Sequence, residues 1–267
     1  MERARVPAVL SIAGSDSGGG AGIQADLKAF ARCGVHGMTA ITAITAQNTV
    51  EVAGVEPVSR GSIAAQVKAV AADIGVDAVK VGMLGNAETV DAVVEALTLV
   101  GEAPVVVDPV MVAESGATLL DPGAHRALVE RLLPLAAVVT PNLPEARALT
   151  GLGEEAAQEE LARAVLELGP GAVVVTGGHS DLVVDLFYDG GEPVPIEGPR
   201  HPDGAAHGSG CTHSSALAAF LAHGDAPLEA ARRAREVASE AVANGLREIG
   251  HGPGPVDVFG LASGRAQ

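Results

Sequence analysis

Along this chain, short apolar runs rich in β-branched residues alternate with stretches whose apolar positions recur every three or four residues. The runs AVLSIAG (8–14), MTAITAITAQ (38–47), DAVKVGML (77–84), PVVVDPV (104–110), AAVVTPN (136–142) and GAVVVTGG (171–178) predict strands. Between them, IQADLKAFARC (23–33), SIAAQVKAVAADI (62–74) and NAETVDAVVEALTLV (86–100) predict helices. DLVVDLFYD (181–189) and EPVPIEG (192–198) read as a later antiparallel addition, and helices over 211–224 and 226–249 close the chain. Strands that read as unbroken apolar runs are covered on both faces, so the pattern predicts an α/β fold with a mostly parallel sheet. No linker or repeat interrupts it, and 1–267 reads as one domain.

Polar residues and glycines collect where the strands end: GSDSGGGAG, AQN, DPV, TPNLPE and TGGH. Open α/β sheets bind ligands outside the carboxyl ends of their strands, so these loops are expected to share one rim. GSDSGGGAGIQAD (14–26) loosely resembles a dinucleotide fingerprint, but its glycine order fits the turn poorly and the expected acidic residue is missing. A tight turn that lets the backbone and Asp16 or Asp26 approach a small ligand fits better. DPV places Asp108 at a strand end, and TPNLPE places Asn142 and Glu145 three apart at the next. Such oxygens suit Mg²⁺ with waters and phosphates, or Glu145 caps a helix starting near Leu143. HGSGCTHSS sets Cys211 behind a small-residue turn at a helix start, where backbone N–H groups attract anions. The thiol is then a core filler, a hydrolase nucleophile supported only by His207 and His213, or a proton acceptor with its pKa lowered by the helix. The N–H groups of Ser209, Gly210 and Cys211 are the expected cradle for a transferring phosphoryl group.

Composition narrows the partners. The chain has 17 Lys+Arg against 33 Asp+Glu, a net charge of −16, which argues against nucleic acid or an anionic membrane. The same charge repels nucleotides, so a phosphate site needs local help from dipoles, metal or a few cations. With no Trp, one Tyr and four Phe, the core falls to Ala, Val and Leu. Cys33 and Cys211 have no metal-ligand spacing and read as free thiols. The N-terminal apolar run breaks too early for a signal or membrane span, so a cytoplasmic protein is expected.

Taken together, AVLSIAGSDSGGGAGIQADLKAF, GMTAITAITAQNTV, DAVKVGMLGNAETV, VVVDPVMVAESGATLL, VVTPNLPEA, GGH and HGSGCT resemble the hydroxymethylpyrimidine/phosphomethylpyrimidine kinases of thiamine biosynthesis, in the ribokinase-like superfamily. The resemblance implies a three-layer α/β/α sandwich, a homodimer, and phosphorylation of 4-amino-5-hydroxymethyl-2-methylpyrimidine and then its monophosphate by ATP and Mg²⁺. It implies a pyrimidine pocket of Gly14, Asp26, Gln47, Met83 and Val110, with the Gln47 amide reading the aminopyrimidine edge. Asp108 and Glu145 would handle Mg²⁺. Asn142, Thr176 and Gly178 would meet the nucleotide, Gly208, Ser209 and Gly210 would form the anion hole, and Cys211 would be the base. Pyridoxal kinases of the same branch and a pyrimidine binder with weak kinase activity are the alternatives. Three departures stand out: TGGH where KGGH is common, AESGA where AKSGD is common, and CTHS where CTLS is usual. Thr176 and Glu114 thus replace lysines; His213 or Arg200 could compensate, although nothing in the sequence shows that either does. The segment RHPDGAAHG (200–208) is expected to be a mobile lid.

Overall fold

The computed structural model describes residues 5–112, 116, 119–177, 183–202, 204–262 and 264. Nine strands form one sheet in the order β3-β2-β1-β4-β5-β6-β7-β8-β9. They are β1 (Ala8–Asp16), β2 (His36–Gln47), β3 (Val52–Pro57), β4 (Ala78–Val81), β5 (Val105–Val107), β6 (Val138–Val139), β7 (Val173–Val175), β8 (Val183–Tyr188) and β9 (Val194–Gly198). The strands from β2 through β7 in that order pair in parallel, while β3, β8 and β9 add on antiparallel.

Eight α-helices are described: α1 (Gly22–Arg32), α2 (Arg60–Asp73), α3 (Ala87–Leu97), α4 (Pro122–Ala127), α5 (Leu143–Thr150), α6 (Gln158–Leu166), α7 (Ser209–Ala222) and α8 (Pro227–Ala243). Side chains alternate across a strand, and that alternation builds two cores. Leu10, Ile12, Val79, Val81, Val105 and Val107 pack with α2 to α6, whereas Val9, Ala78 and Val106 pack under α1, α7 and α8. The result is a three-layer α/β/α sandwich.

Four differences from the sequence reading have local causes. Strand β3 escapes a hydrophobic pattern because nearly all of it is exposed. Helix α6 lies outside the predicted elements, although its buried Leu161, Ala162 and Val165 follow helical spacing. Helix α7 begins at Ser209, two residues before the thiol, since Gly208 at φ +84 turns the chain into it. Helix α8 ends at Ala243 rather than 249, as the chain turns back at Gly245, packed on Ala205. The predicted strand runs also overreach at their carboxyl ends. The residues beyond the ladders, such as Met83, Asp108, Asn142 and Thr176, are those that form the rim. No helix among the described residues is long and apolar enough to cross a membrane.

Candidate active site

A cavity of about 470 Å³ opens at the carboxyl ends of the strands. One wall is the turn from β1 into α1. Here Asp16 accepts the N–H groups of Gly18 (2.8 Å), Gly20 (3.0 Å) and Ala21 (2.8 Å), and His207 Nε2 stands 3.5 Å from its Oδ2. Burial works to raise this carboxyl, but His207 and the loop N–H groups hold it below the usual carboxylate range. Gly22 has φ +57, and a Cβ there would lie 2.4 Å from the Gly14 carbonyl oxygen, so only glycine fits. Gly14 itself lines the cavity, with the Met83 sulfur where its Cβ would make contact.

Beneath this wall runs a buried polar chain. Ser11 and Lys80 are partners in the β1–β4 register and face α1 and α7. Lys80 is fully buried, 2.9 Å from Asp26 Oδ1 and 3.7 Å from Asp108 Oδ2. Ser11 and Ser215 donate to Asp26, and Ser214 donates to Asp108. Burial works to lower the Lys80 ammonium, but the surrounding negative groups, Asp26 foremost, hold it above its ordinary value. Asp26 is 0% exposed and does not line the cavity. The expectation that it meets the ligand is therefore corrected: it belongs to the buried stripe of α1, with Ile23, Ala29 and Phe30, and anchors Lys80 from below.

The head of α7 forms the opposite wall. Gly208 caps it, and a Cβ there would stand 1.8 Å from the Gly20 carbonyl oxygen. Ser209 N–H is committed to the Ala206 carbonyl (2.9 Å), and Thr212 N–H makes the first bond of the helix to Gly208 (2.9 Å). Among the described residues the N–H groups of Gly210 and Cys211 have no acceptor, so the expected three-donor cradle has two. Cys211 keeps part of its surface open to the cavity. The Gly22 backbone, at the N-terminus of α1, works to lower this thiol, as does the Lys80 ammonium. Burial nevertheless pushes the thiol up to about 12, with Asp108 and Asp26 adding to the rise against the pull of Lys80. The expected lowering by the helix is thus outweighed. Among the described residues neither ring nitrogen of His213 has a hydrogen-bond partner and His207 faces Asp16, so neither histidine supports the sulfur as a hydrolase nucleophile.

The remaining rim carries Asn142, Glu145, Asp108 and Thr176, all lining the cavity. Asn142 caps α5 by accepting Glu145 N–H (2.8 Å), while Glu145 Oε2 accepts Asn142 N–H (2.9 Å). Glu145 is therefore a helix cap and a cavity carboxylate at once. Its carboxyl is raised to about 8 by burial and then by the charge of Asp108, whose own carboxyl is raised by burial. Thr176 is bridged to Asn142 and donates its N–H to Pro141. At the other end, Gln47 lines the cavity with its Oε1 3.2 Å from Thr45 Oγ1, and Val110 lines it nearby. Gly178, Glu114 and Ala117 lie outside the described residues.

The profile described as phosphomethylpyrimidine kinase matches residues 16–257. The chain belongs to that family. It is a phosphotransferase on a ribokinase-like sandwich. A hydroxymethylpyrimidine/phosphomethylpyrimidine kinase of Rhizobium meliloti is 50% identical over 256 residues, covering 94% of this chain and 96% of the relative. Among solved structures, an ADP complex of Bacillus subtilis pyridoxal kinase superposes with a TM-score of 0.88 at 37% identity, covering 97% and 99% of the two chains. A phosphomethylpyrimidine kinase from Clostridium difficile gives 0.78 at 39% identity, over 89% and 100%.

This member of the phosphomethylpyrimidine kinase family carries site residues that its sequence did not announce. Lys80, Asp185 and Arg235 line the cavity with His207 and His213. Lys80 had a signal, a lysine at a strand position whose neighbours are all apolar; Asp185 had the same one in VVDLFY. Among the described residues no three His, Cys, Asp or Glu side chains gather as a metal-binding group. Asp108 and Glu145 still suit Mg²⁺, which takes one or two carboxylates and completes its shell with water and phosphate. The Asp108 charge makes Glu145 harder to ionise, a repulsion that a divalent cation would relieve.

Proposed function

We propose that this chain phosphorylates 4-amino-5-hydroxymethyl-2-methylpyrimidine, and then its monophosphate, with ATP and Mg²⁺ in the cytoplasm. The observation that carries this reading is the pair of uncommitted N–H groups on Gly210 and Cys211, opening on a cavity with carboxylates at one end and Gln47 at the other. Gln47 offers a donor and an acceptor to the aminopyrimidine edge, with Gly14, Met83 and Val110 packing its ring. Gly210 and Cys211 hold the oxygens of the transferring phosphoryl group. Asp108 and Glu145 hold the Mg²⁺, which when bound neutralises phosphate charge. The substrate hydroxyl oxygen bonds to phosphorus as the bond to the ADP oxygen breaks, and the hydroxyl proton passes to the Cys211 sulfur. Only the thiolate can take that proton. With the thiol near 12, turnover rises with pH through the neutral range.

The pyridoxal kinase reading is kept in view by the 0.88 superposition. An ATP-coupled assay with Mg²⁺, run on the hydroxymethylpyrimidine and on pyridoxal with products resolved by mass, separates the two. Pyrimidine mono- and diphosphate are expected. Phosphorylation of pyridoxal alone would replace the reading, and no turnover on either would leave the weak binder. For the homodimer, the surface that fits is the β2–β3 arm, where Ile44 and Val55 are exposed beside an unpaired sheet edge. Sedimentation of I44D as monomer, with wild type as dimer, is the expected result.

A further inference from the structure

The nucleotide end of the cavity holds a buried group that this function leaves unused. His213 lies three residues past Gly210 on α7, on the same helical face as Gly210 and ~4.5 Å further along the helix axis. It is 4% exposed, lines the cavity, and has no hydrogen-bond partner for either ring nitrogen among the described residues. Facing it is Asp185, 1% exposed, whose Oδ2 also has no hydrogen-bond partner and lies 3.8 Å from His213 Nε2. The other oxygen, Oδ1, accepts Gly177 N–H at 3.0 Å and lies 3.6 Å from Arg235 Nη1. The register that pairs Val175 with Leu186 sets Asp185 beside Thr176.

Buried imidazole and carboxylate atoms without partners are costly, and native folds keep such groups where something else completes them. The surroundings select an anion. Arg200, His201 and Arg235 line the same cavity, a local gathering of basic groups in a chain of net charge −16. We propose that His213 and Arg235, braced on Asp185, form a subsite for the polyphosphate tail of the nucleotide, giving it the contacts that Thr176 cannot. This rests on the kinase reading and deepens it: His213 donates to a phosphate oxygen, and Asp185 positions Arg235.

Calorimetric titration of the full chain with AMP, ADP and a non-hydrolysable ATP analogue tests it. In H213L, affinity for the analogue should fall about tenfold, with AMP and pyrimidine affinity unchanged within twofold. T176K/H213L, which restores a cation beside Asp185, should recover most of the loss. Equal losses for AMP and the analogue, or none for either, would overturn the subsite while leaving a wild-type kinase intact. A wild-type chain that binds no nucleotide would overturn both. If H213L fails to fold, the ring resonances of ¹⁵N-histidine-labelled wild type give the answer. A His213 shift with the analogue but not with AMP supports the subsite, and no difference between the two ligands overturns it.

Discussion

Two glycine turns open helices into the same cavity, and they do opposite things with their backbone donors. In the β1–α1 turn, Asp16 occupies the N–H groups of Gly18, Gly20 and Ala21, so an anion is already built in. At the head of α7, Ser209 is committed but Gly210 and Cys211 are not. GSDSGGGAG looks more like a phosphate loop than HGSGCT does, yet most of its turn donors are already taken, three of them by the Asp16 carboxylate. A glycine-rich helix start predicts an anion site only after its acceptors have been counted. Carboxylates divide in the same way. Asp16 receives three N–H groups and is held low, whereas Glu145, which also caps a helix, sits against Asp108 and is raised to about 8.

The comparison breaks most visibly at the thiol. C211A should lower kcat by roughly 10²–10⁴-fold with pyrimidine affinity little changed, as measured by steady-state kinetics and calorimetry. Because the thiolate fraction grows tenfold per pH unit below about 12, wild-type kcat should climb with pH, and C211D should flatten that climb. A kcat within a few-fold of wild type in C211A would make the sulfur a packing group. G208A is next. Its φ of +84 alone costs about 1–3 kcal/mol in a residue with a Cβ, and that Cβ would strike Gly20, so melting temperature and kcat should both fall.

D16N should cost about 1–3 kcal/mol by leaving loop donors poorly paired, and millimolar sulfate should protect this variant more than wild type. Equal protection would mean that the β1–α1 turn is no latent anion site. The smallest effect concerns Glu145. Its carboxyl keeps a proton in the fold up to about pH 8 but loses it near 4.5 in the unfolded chain, so metal-free stability should decline between those values. E145Q should remove the decline, raising the melting temperature at pH 8 by about 2–4 °C for each 1 kcal/mol recovered. Mg²⁺ should stabilise wild type at that pH and leave E145Q unmoved.

Much of this was legible from the pattern of residues. Valine runs place the central strands, and the polar residues that follow them place the rim, because a strand must leave its ladder before side chains can converge on a ligand. What stayed hidden was long-range pairing. Nothing local in the sequence joins Lys80 to Asp26, or His213 to Asp185, across 54 and 28 positions. Asp26 could have been read correctly, since it falls on the apolar stripe of α1 rather than its polar side. Strand β3 had no pattern to read, being almost wholly exposed. The fate of Ser209 N–H depended on the preceding turn closing onto Ala206, which composition does not encode.

The contact between Gly208 and the Gly20 carbonyl, with the His207 ring lying over Gly20, bears on how this scaffold could be redesigned. A library that randomises either glycine turn perturbs both at once, so new substrate preferences gained there would come with damaged catalysis. Variation is better confined to Gln47, Met83 and Val110, where the cavity wall is side chain and can be recut without moving backbone.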